Sequence, residues 1–194
     1  PMLSEKYASD FLQAIEMVEK SGAKKIYGNG RITPESSPDG FHGDAAKGVY
    51  MWPHVYVDIT EDMECFHEEI FGPAVTVVKA KDLNNAIHLA NASPYGLSSA
   101  IYTNDRLEAY RFKTEIKAGM TSINNSTSGA EAHLPFGGVK NSGNGTRESG
   151  IWVLEAYSYW HAVNDELSGK LQLAQMYVDE IEMSEKEVDW TKLA

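Results

Sequence analysis

The sequence is poor in cysteine, in positive charge and in long apolar runs. Cys65 is the only cysteine among 194 residues, so the chain cannot form an internal disulfide, which fits a reducing, cytoplasmic setting. Its 28 acidic residues outnumber 17 Lys and Arg and give a net charge of −11, which opposes binding to the phosphates of nucleic acid. No stretch approaches the roughly 20 apolar residues of a membrane-spanning helix, and the first residues lack the pattern of a signal peptide. We therefore expect a cytoplasmic globular protein whose partners include neither nucleic acid nor a membrane.

Helix and strand patterns alternate along a chain that is long enough for one sizeable domain. Apolar residues recur at helical spacing between the candidate N-cap Ser4 and the helix stop Gly22, and they are Tyr7, Phe11, Ile15 and Val18. Residues 28–48 are rich in Gly, Pro, Ser and Asp, which predicts a surface loop or hairpin.

Two segments are typical of β-strands in different environments. Residues 55–59 alternate as a half-buried strand does, whereas residues 74–78 (Ala-Val-Thr-Val-Val) form the nearly continuous apolar run of a central parallel strand. Further strands are predicted at residues 25–27, 99–102 and 120–123, and further helices at residues 83–90 and 107–116. The alternation predicts an α/β fold, with an open, mostly parallel twisted sheet and flanking helices.

Several motifs follow one another in a fixed order. Residues 68–73 read Glu-Glu-Ile-Phe-Gly-Pro, and residues 135–143 read Pro-Phe-Gly-Gly-Val-Lys-Asn-Ser-Gly. Between and beyond them stand the block at residues 90–105, Ala118-Gly119, Ile123-Asn124, and Arg-Glu-Ser-Gly at residues 147–150. In this order, and with Pro-Met-Leu-Ser at residues 1–4, they resemble the C-terminal half of the aldehyde dehydrogenase superfamily, over about residues 1–165.

The resemblance implies that the catalytic groups lie elsewhere in a longer protein. In that superfamily the Cys nucleophile, the Glu general base, the Asn oxyanion donor and the Gly-rich NAD(P) loop precede the point where this chain starts. We therefore assign no catalytic residue here and expect the C-terminal part of an NAD(P)-dependent enzyme that oxidises an aldehyde to a carboxylic acid. The chain alone is expected to be inactive; the alternative is a non-catalytic binding or oligomerisation module.

The resemblance also implies a division of the chain. Residues 1–155 are expected to be the C-terminal part of the catalytic domain, and residues 166–194 an acidic tail whose apolar spacing fits a helix. Residues 156–165 are expected to include an extended arm, because the segment from Tyr157 to Val163 alternates and is rich in aromatics. In the superfamily this arm adds to a neighbouring subunit's sheet, which predicts a homo-oligomer; an edge strand of its own domain is the alternative.

Glu69 and Phe71 are the candidate cofactor-binding residues. A carboxylate accepts hydrogen bonds from both hydroxyls of a ribose, and a Phe two positions on in an extended segment projects on the same side. The resemblance implies that this pair orients the nicotinamide of NAD or NADP. The alternative is a surface carboxylate and a core Phe.

Ser128, Gly129, Ala130 and Phe136 are the candidate substrate-binding residues. The resemblance places the substrate-anchoring loop here, where a Ser/Thr-Gly-Ala turn offers backbone N–H groups to a substrate carboxylate and Phe136 lines the aldehyde tunnel. The expected substrate is a carboxylated semialdehyde or a sugar-derived aldehyde. A polar loop with Gly for turn geometry is the alternative, and Asn124 either orients this loop or stabilises a turn.

Cys65 and His67 would share a face of an extended segment, as a thiolate and its activating imidazole do. Alternation alone produces such pairs often, and no third group to orient the imidazole is evident. With His54 they show no spacing typical of zinc ligands, so we assign no metal site.

Overall fold

The computed structural model describes residues 1–165 and 167. All the described helices and strands lie in a first compact unit, Pro1–Ser158, and a second unit begins at Tyr159. The helices are α1 Glu5–Lys20, α2 Glu64–His67, α3 Leu83–Ala92, α4 Arg106–Glu115 and α5 Val153–Ala156, which follows a 3-10 turn at Gly150–Trp152. The strands are β1 Lys24–Tyr27, β2 Arg31–Ile32, β3 Tyr50–Met51, β4 His54–Ile59, β5 Ala74–Val78, β6 Tyr95–Gly96, β7 Ser98–Ile101, β8 Met120–Ile123 and β9 Val139–Lys140. None of the described helices has the length and apolar character needed to cross a membrane.

Helix α1 forms where its apolar spacing predicts it. One face is buried, through Ala8, Phe11, Ile15 and Val18, and these side chains form the main hydrophobic core with Tyr56 and Ile59 of β4. The helix ends at Lys20, and Gly22 follows in a left-handed conformation with a φ of 96°, which glycine adopts without steric cost. The predicted stop is thus confirmed.

The first sheet has the order β1-β4-β5. Strand β1 runs antiparallel to β4, and β5 runs parallel to β4 with His54 opposite Ala74 and Tyr56 opposite Thr76. His54, Tyr56 and Ile59 are buried while the residues between them are more exposed, so the predicted half-buried strand is confirmed.

Strand β5 is parallel, but the prediction that it is central is wrong for the described chain. It lies at the edge of its sheet, and Val75 and Val77 are 52% and 46% exposed. A β-branched run predicts that a segment adopts an extended backbone in apolar surroundings. It does not predict whether strands pair with both of its edges.

The second parallel pair joins β7 to β8 through α4. Ser98 lies opposite Met120 and Ile101 opposite Ile123, which is the register of a strand-helix-strand crossover. Two short antiparallel pairs complete the unit: β2 with β3, which bracket most of the segment predicted as a surface loop or hairpin, and β6 with β9.

The α/β class is confirmed, but the described strands do not build one open, mostly parallel sheet. They form four sheets of two or three strands, with two parallel and three antiparallel pairings. Two-residue strands such as β2 and β3 are too short to carry a hydrophobic pattern that would select a partner strand. Hydrophobic patterns predict a strand without predicting its partner.

The predicted arm does not form a strand in this structure. Tyr157 ends the last helix, and the described residues of the second unit, 159–165 and 167, have no regular secondary structure and are exposed, Trp160 to 93%. A strand needs a partner edge for its N–H and C=O groups. Apart from residue 167, the predicted tail at residues 166–194 lies outside the described residues, and the three-part division of the chain stays a prediction.

Candidate functional site

The segment that carries Glu69 and Phe71 is anchored to the core at its end. The N–H of His54 donates to the carbonyl of Pro73 at 2.7 Å. Gly72 passes directly over the ring of Phe11, and a Cβ at Gly72 would stand 2.2 Å from the Cδ2 of Phe11. Any larger residue at this position would displace the segment, so Gly72 and Pro73 fix where it leaves the core.

Glu69 lies on the wall of an open cleft of about 550 Å³, which we call the Glu69 cleft. Its other walls come from the segment between α3 and β7 and from the loop after β9, including Ser93, Tyr95, Ser98 and Ser142. Glu69 is exposed, and within residues 1–165 and 167 no hydrogen bond or ion pair engages its carboxylate. The carboxylate is therefore free to accept hydrogen bonds from a ligand.

Phe71 is 70% exposed, which rules out the alternative of a core Phe in this chain. It is absent from the lining of the Glu69 cleft, so the structure does not bring the two side chains to one wall. Glu69 lies two residues after the end of helix α2, and residues 69–71 form no strand, so strict alternation of side chains does not apply to them. The exposed ring of Phe71 and the carboxylate of Glu69 are each accessible to a ligand.

A second cleft, of about 290 Å³, brings together three of the four candidate substrate residues, Gly129, Ala130 and Phe136. We call it the Phe136 cleft. Its remaining walls are Gly119, Met120, Thr121, Ser122, Asn125, Glu131, Leu134 and Pro135. Ser128 does not line it.

Ser128 is engaged within its own turn. Its N–H donates to the Oγ of Ser126 at 3.1 Å, and the two hydroxyls lie 2.8 Å apart. Short polar side chains form such local bonds to backbone readily. The structure therefore removes the Ser128 N–H from the expected donors and leaves those of Gly129 and Ala130, and a Cβ placed at Gly129 would meet open space.

Phe136 is held by paired main-chain bonds to Glu148. The Phe136 N–H donates to the Glu148 carbonyl at 2.7 Å, and the Glu148 N–H donates to the Phe136 carbonyl at 2.8 Å. Arg147 donates from Nη1 to the carbonyl of Gly138 at 3.2 Å. Arg147 and Glu148 thus support the loop through these contacts.

Asn124 stabilises a turn. It adopts a left-handed φ of 53°, and its amide donates to the carbonyl of Thr103 and accepts from the N–H of Thr103, both at 2.9 Å. Asn tolerates this conformation better than most residues. Of the two roles considered for Asn124, the contacts favour the turn.

The expectation that Cys65 and His67 share a face is wrong, because the segment is helical rather than extended. Both lie in α2, where residues two apart do not face each other. Cys65 is buried, with Sγ 4.0 Å from the hydroxyl of Ser21, whereas the exposed His67 ring contacts the carbonyl of Glu61. Within the part of the chain that the structure describes, no group of three His, Cys, Asp or Glu side chains is placed to hold a metal ion.

Lys140 occupies a position that sequence reasoning missed. Its ammonium donates to the main-chain oxygens of Asn91, Ser93 and Tyr95 at 2.9, 2.8 and 3.3 Å. Partial burial lowers the pKa of Lys140 below the ordinary value for lysine, and the nearby charge of Lys117 lowers it further. The sequence offers one indirect signal, since the last turn of α3 carries no basic residue of its own.

Comparison with known proteins identifies the family of this chain. Residues 1–163 match the sequence model of the Aldehyde dehydrogenase family. An alpha-ketoglutarate semialdehyde dehydrogenase of Haloferax volcanii is 38% identical over 167 residues, which are 85% of this chain and 33% of that protein. A vanillin dehydrogenase of Corynebacterium glutamicum is 39% identical over 158 residues, 81% of this chain and 29% of that protein.

The fold agrees as well. The crystal structure of an NAD-dependent aldehyde dehydrogenase from Sinorhizobium meliloti superimposes with a TM-score of 0.75 at 32% identity, over 90% of this chain and 32% of that one. The chain thus spans about a third of the length of the relatives it matches. Its motifs, its two clefts and these similarities lead to one conclusion: the chain belongs to the aldehyde dehydrogenase family.

Proposed function

We propose that this chain is the C-terminal, cofactor- and substrate-positioning part of an NAD(P)-dependent aldehyde dehydrogenase. In the whole protein, an aldehyde and water would be converted to a carboxylic acid with NAD(P)+ as the hydride acceptor, and the nucleophile and the dinucleotide loop would lie outside this chain. The observation that carries the proposal is the unpaired Glu69 carboxylate on a cleft wall, two residues before the exposed ring of Phe71. Membership of the aldehyde dehydrogenase family supports a role for that pair in binding the nicotinamide end of the cofactor.

The residues present fit a nicotinamide ribose. An unpaired carboxylate on a cleft can accept both ribose hydroxyls, and charge-assisted bonds of this kind are stronger than neutral ones. The exposed face of Phe71 offers an apolar surface to the planar ring. The dinucleotide supplies the hydride acceptor, and Glu69 and Phe71 hold its nicotinamide end in one pose.

For the substrate, we infer an aldehyde that carries a distant carboxylate. The N–H groups of Gly129 and Ala130 have no partner within residues 1–165 and 167, and the space at Gly129 is open. Two such donors stabilise an anion, at roughly 1.5–3 kcal/mol for a hydrogen bond to a charged group. The name of the Haloferax relative fits this substrate class, while vanillin, in the name of the Corynebacterium relative, has no carboxylate.

Glu131 favours a second candidate. It lines the Phe136 cleft, where its negative charge opposes a carboxylate. A hydroxylated, sugar-derived aldehyde would avoid this conflict, because its hydroxyls can accept from the two N–H groups and donate to Glu131. The two candidates therefore differ in the sign of the effect that Glu131 has on binding.

The test compares kcat/KM of the whole protein for succinate semialdehyde, butanal and glyceraldehyde. Carboxylate anchoring predicts a preference of about one to two decades for the acid over butanal, and a selective loss of that preference in Gly129→Val. Ala132→Val is the matched control, because Ala132 is exposed and does not line the cleft. Equal values for acid and butanal reject the anchor. Glyceraldehyde as the best substrate, weakened by Glu131→Gln, supports the second candidate.

The isolated chain is proposed to be inactive and to bind NAD(P) poorly, because most dinucleotide affinity comes from a phosphate loop and helix N-terminus that belong to another part of the family's fold. Aldehyde-dependent NAD(P)H formation by the purified chain would contradict this. For the whole protein we propose a cytoplasmic homo-oligomer, in which the segment from Tyr157 to Val163 adds to a neighbouring subunit.

A further inference from the structure

Lys140 sits where a bound cation would sit. Three main-chain oxygens from one segment, those of Asn91, Ser93 and Tyr95, converge on its ammonium within 3.3 Å. An ammonium has three donors and no acceptor, so three carbonyls satisfy it completely. All three hydrogen-bond donors of the Lys140 ammonium thus bind main-chain oxygens of another segment.

The end of α3 explains why a cation is favourable there. The last carbonyls of a helix lack partners within the helix and carry a partial negative charge. Helix α3 ends at Ala92 without a basic residue in its last turn, so Lys140 supplies the missing positive charge from β9. Lys140 also has a left-handed φ of 54°, which a residue with a long side chain rarely adopts and which its surroundings must maintain.

The segments that Lys140 connects, β9 and the backbone after α3, lie between the two clefts. Strand β9 pairs with β6, the N–H of Asn141 donates to the carbonyl of Pro94, and the N–H of Gly96 donates to the hydroxyl of Ser142. On one side, Ser93, Tyr95, Gly96 and Ser142 line the Glu69 cleft. On the other side, only three residues separate Lys140 from Phe136, which lines the Phe136 cleft.

We propose that Lys140 is a positioning residue, whose ammonium binds three carbonyls after α3 and thereby fixes the Phe136 cleft relative to the Glu69 cleft. This inference rests on the proposed function, in which the Phe136 cleft holds the aldehyde and the Glu69 cleft holds the nicotinamide ribose. Hydride transfer is sensitive to such geometry, since a displacement of about 1 Å costs on the order of a hundredfold in rate. Lys140 touches neither ligand and acts only through the backbone that it binds.

The activity test uses the whole protein with Lys140→Met, Lys140→Ala and the control Lys79→Met, which removes an exposed lysine that lines neither cleft. Lys140→Met is expected to lower kcat at least about tenfold at a temperature where circular dichroism shows the variant folded, with a smaller change in the KM for aldehyde. Ethylammonium chloride is expected to raise the activity of Lys140→Ala at least about threefold, while sodium chloride at equal ionic strength does not. Lys79→Met is expected to match the wild type.

A second measurement separates this inference from the proposed function. Hydrogen exchange by mass spectrometry is expected to accelerate in peptides that cover residues 91–96 and 135–142 of Lys140→Met, and not in Lys79→Met. Unchanged exchange overturns the contact. Faster exchange with unchanged kcat, or no response to ethylammonium, overturns the positioning role. A wild-type protein that forms no NAD(P)H from any aldehyde overturns the proposed function instead, while faster exchange still supports the contact.

Discussion

Gly119 and Gly137 lie in direct backbone contact. A Cβ at Gly119 would stand 1.8 Å from the carbonyl oxygen of Gly137, which is closer than any real pair of such atoms. The contact sets the loop that carries Phe136 against the start of β8, and Gly119 itself lines the Phe136 cleft. The distance between loop and strand therefore depends on the absence of a side chain.

Gly119→Ala is expected to destabilise the protein by about 1–3 kcal/mol, because the added methyl group forces backbone apart where neither side can rotate away. Gly129→Ala is the control, since a Cβ there meets open space and should change stability by less than about 0.5 kcal/mol. Urea denaturation followed by tryptophan fluorescence measures both. Equal stabilities of the two variants would show that the contact relaxes freely.

His54 is expected to make the protein less stable in mild acid. Its ring is 1% exposed, Nδ1 lies 2.8 Å from the carbonyl of Trp52, and Nε2 accepts from the N–H of Gly30 at 3.2 Å. These contacts fit the neutral ring with its proton on Nδ1, and burial lowers the pKa of His54 below its ordinary value near 6.5. Below about pH 6.5, His54 binds a proton in the unfolded chain but stays neutral in the folded chain. The free energy of unfolding therefore decreases as the pH is lowered, until the pH reaches the lowered pKa of the folded state.

The measurement compares the free energy of unfolding of the wild type and of His54→Gln between pH 4.5 and 7.5. The difference between them is expected to change by up to about 1.4 kcal/mol per pH unit below pH 6.5 and to be flat above it. Gln keeps a polar side chain at the site but does not titrate. Parallel curves over the whole range would mean that folded His54 protonates as readily as the unfolded residue does.

The segment from Tyr157 to Val163 gives a prediction about assembly. If it adds as a strand to a neighbouring subunit, His161→Pro removes an N–H from the middle of that strand and is expected to shift the whole protein to smaller species. His161→Val is the matched control, because Val favours extended backbone. Light scattering coupled to size exclusion measures the mass. An unchanged mass for His161→Pro would place the subunit interface elsewhere.

Local patterns predicted the elements better than their partners. Helix α1 and strand β4 follow from spacing alone, because one periodic face of each is buried in a single core. The edge position of β5 was not foreseeable, since pairing depends on strands that are distant in sequence. Alternation failed at Cys65 and His67 because a four-residue helix interrupts the extended segment.

The candidate site shows the same limit. Gly129, Ala130 and Phe136 line one cleft, and their role in substrate binding stays a prediction. The hydrogen bond from the Ser128 N–H to the Ser126 hydroxyl depends on which partner that hydroxyl binds in the folded turn. The three carbonyls around Lys140 converge only after β9 has paired with β6. Contacts of this kind arise from tertiary structure, and no spacing in the sequence encodes them.

The central claim is that Glu69 orients the nicotinamide for hydride transfer. In the whole protein, Glu69→Gln keeps the side-chain volume but loses the charge that strengthens bonds to ribose hydroxyls, so the ring is expected to adopt more poses. The exposed Glu64, which does not line the Glu69 cleft, provides the control Glu64→Gln.

The decisive measurement is the rate of NAD(P)H formation at saturating cofactor with the aldehyde and with its 1-deuterated form. For Glu69→Gln we predict a kcat that is at least about tenfold lower and a larger deuterium isotope effect than in the wild type, because hydride transfer becomes rate-limiting, while Glu64→Gln matches the wild type in both. An unchanged kcat with an unchanged isotope effect in Glu69→Gln would show that Glu69 is a surface carboxylate and would contradict the account.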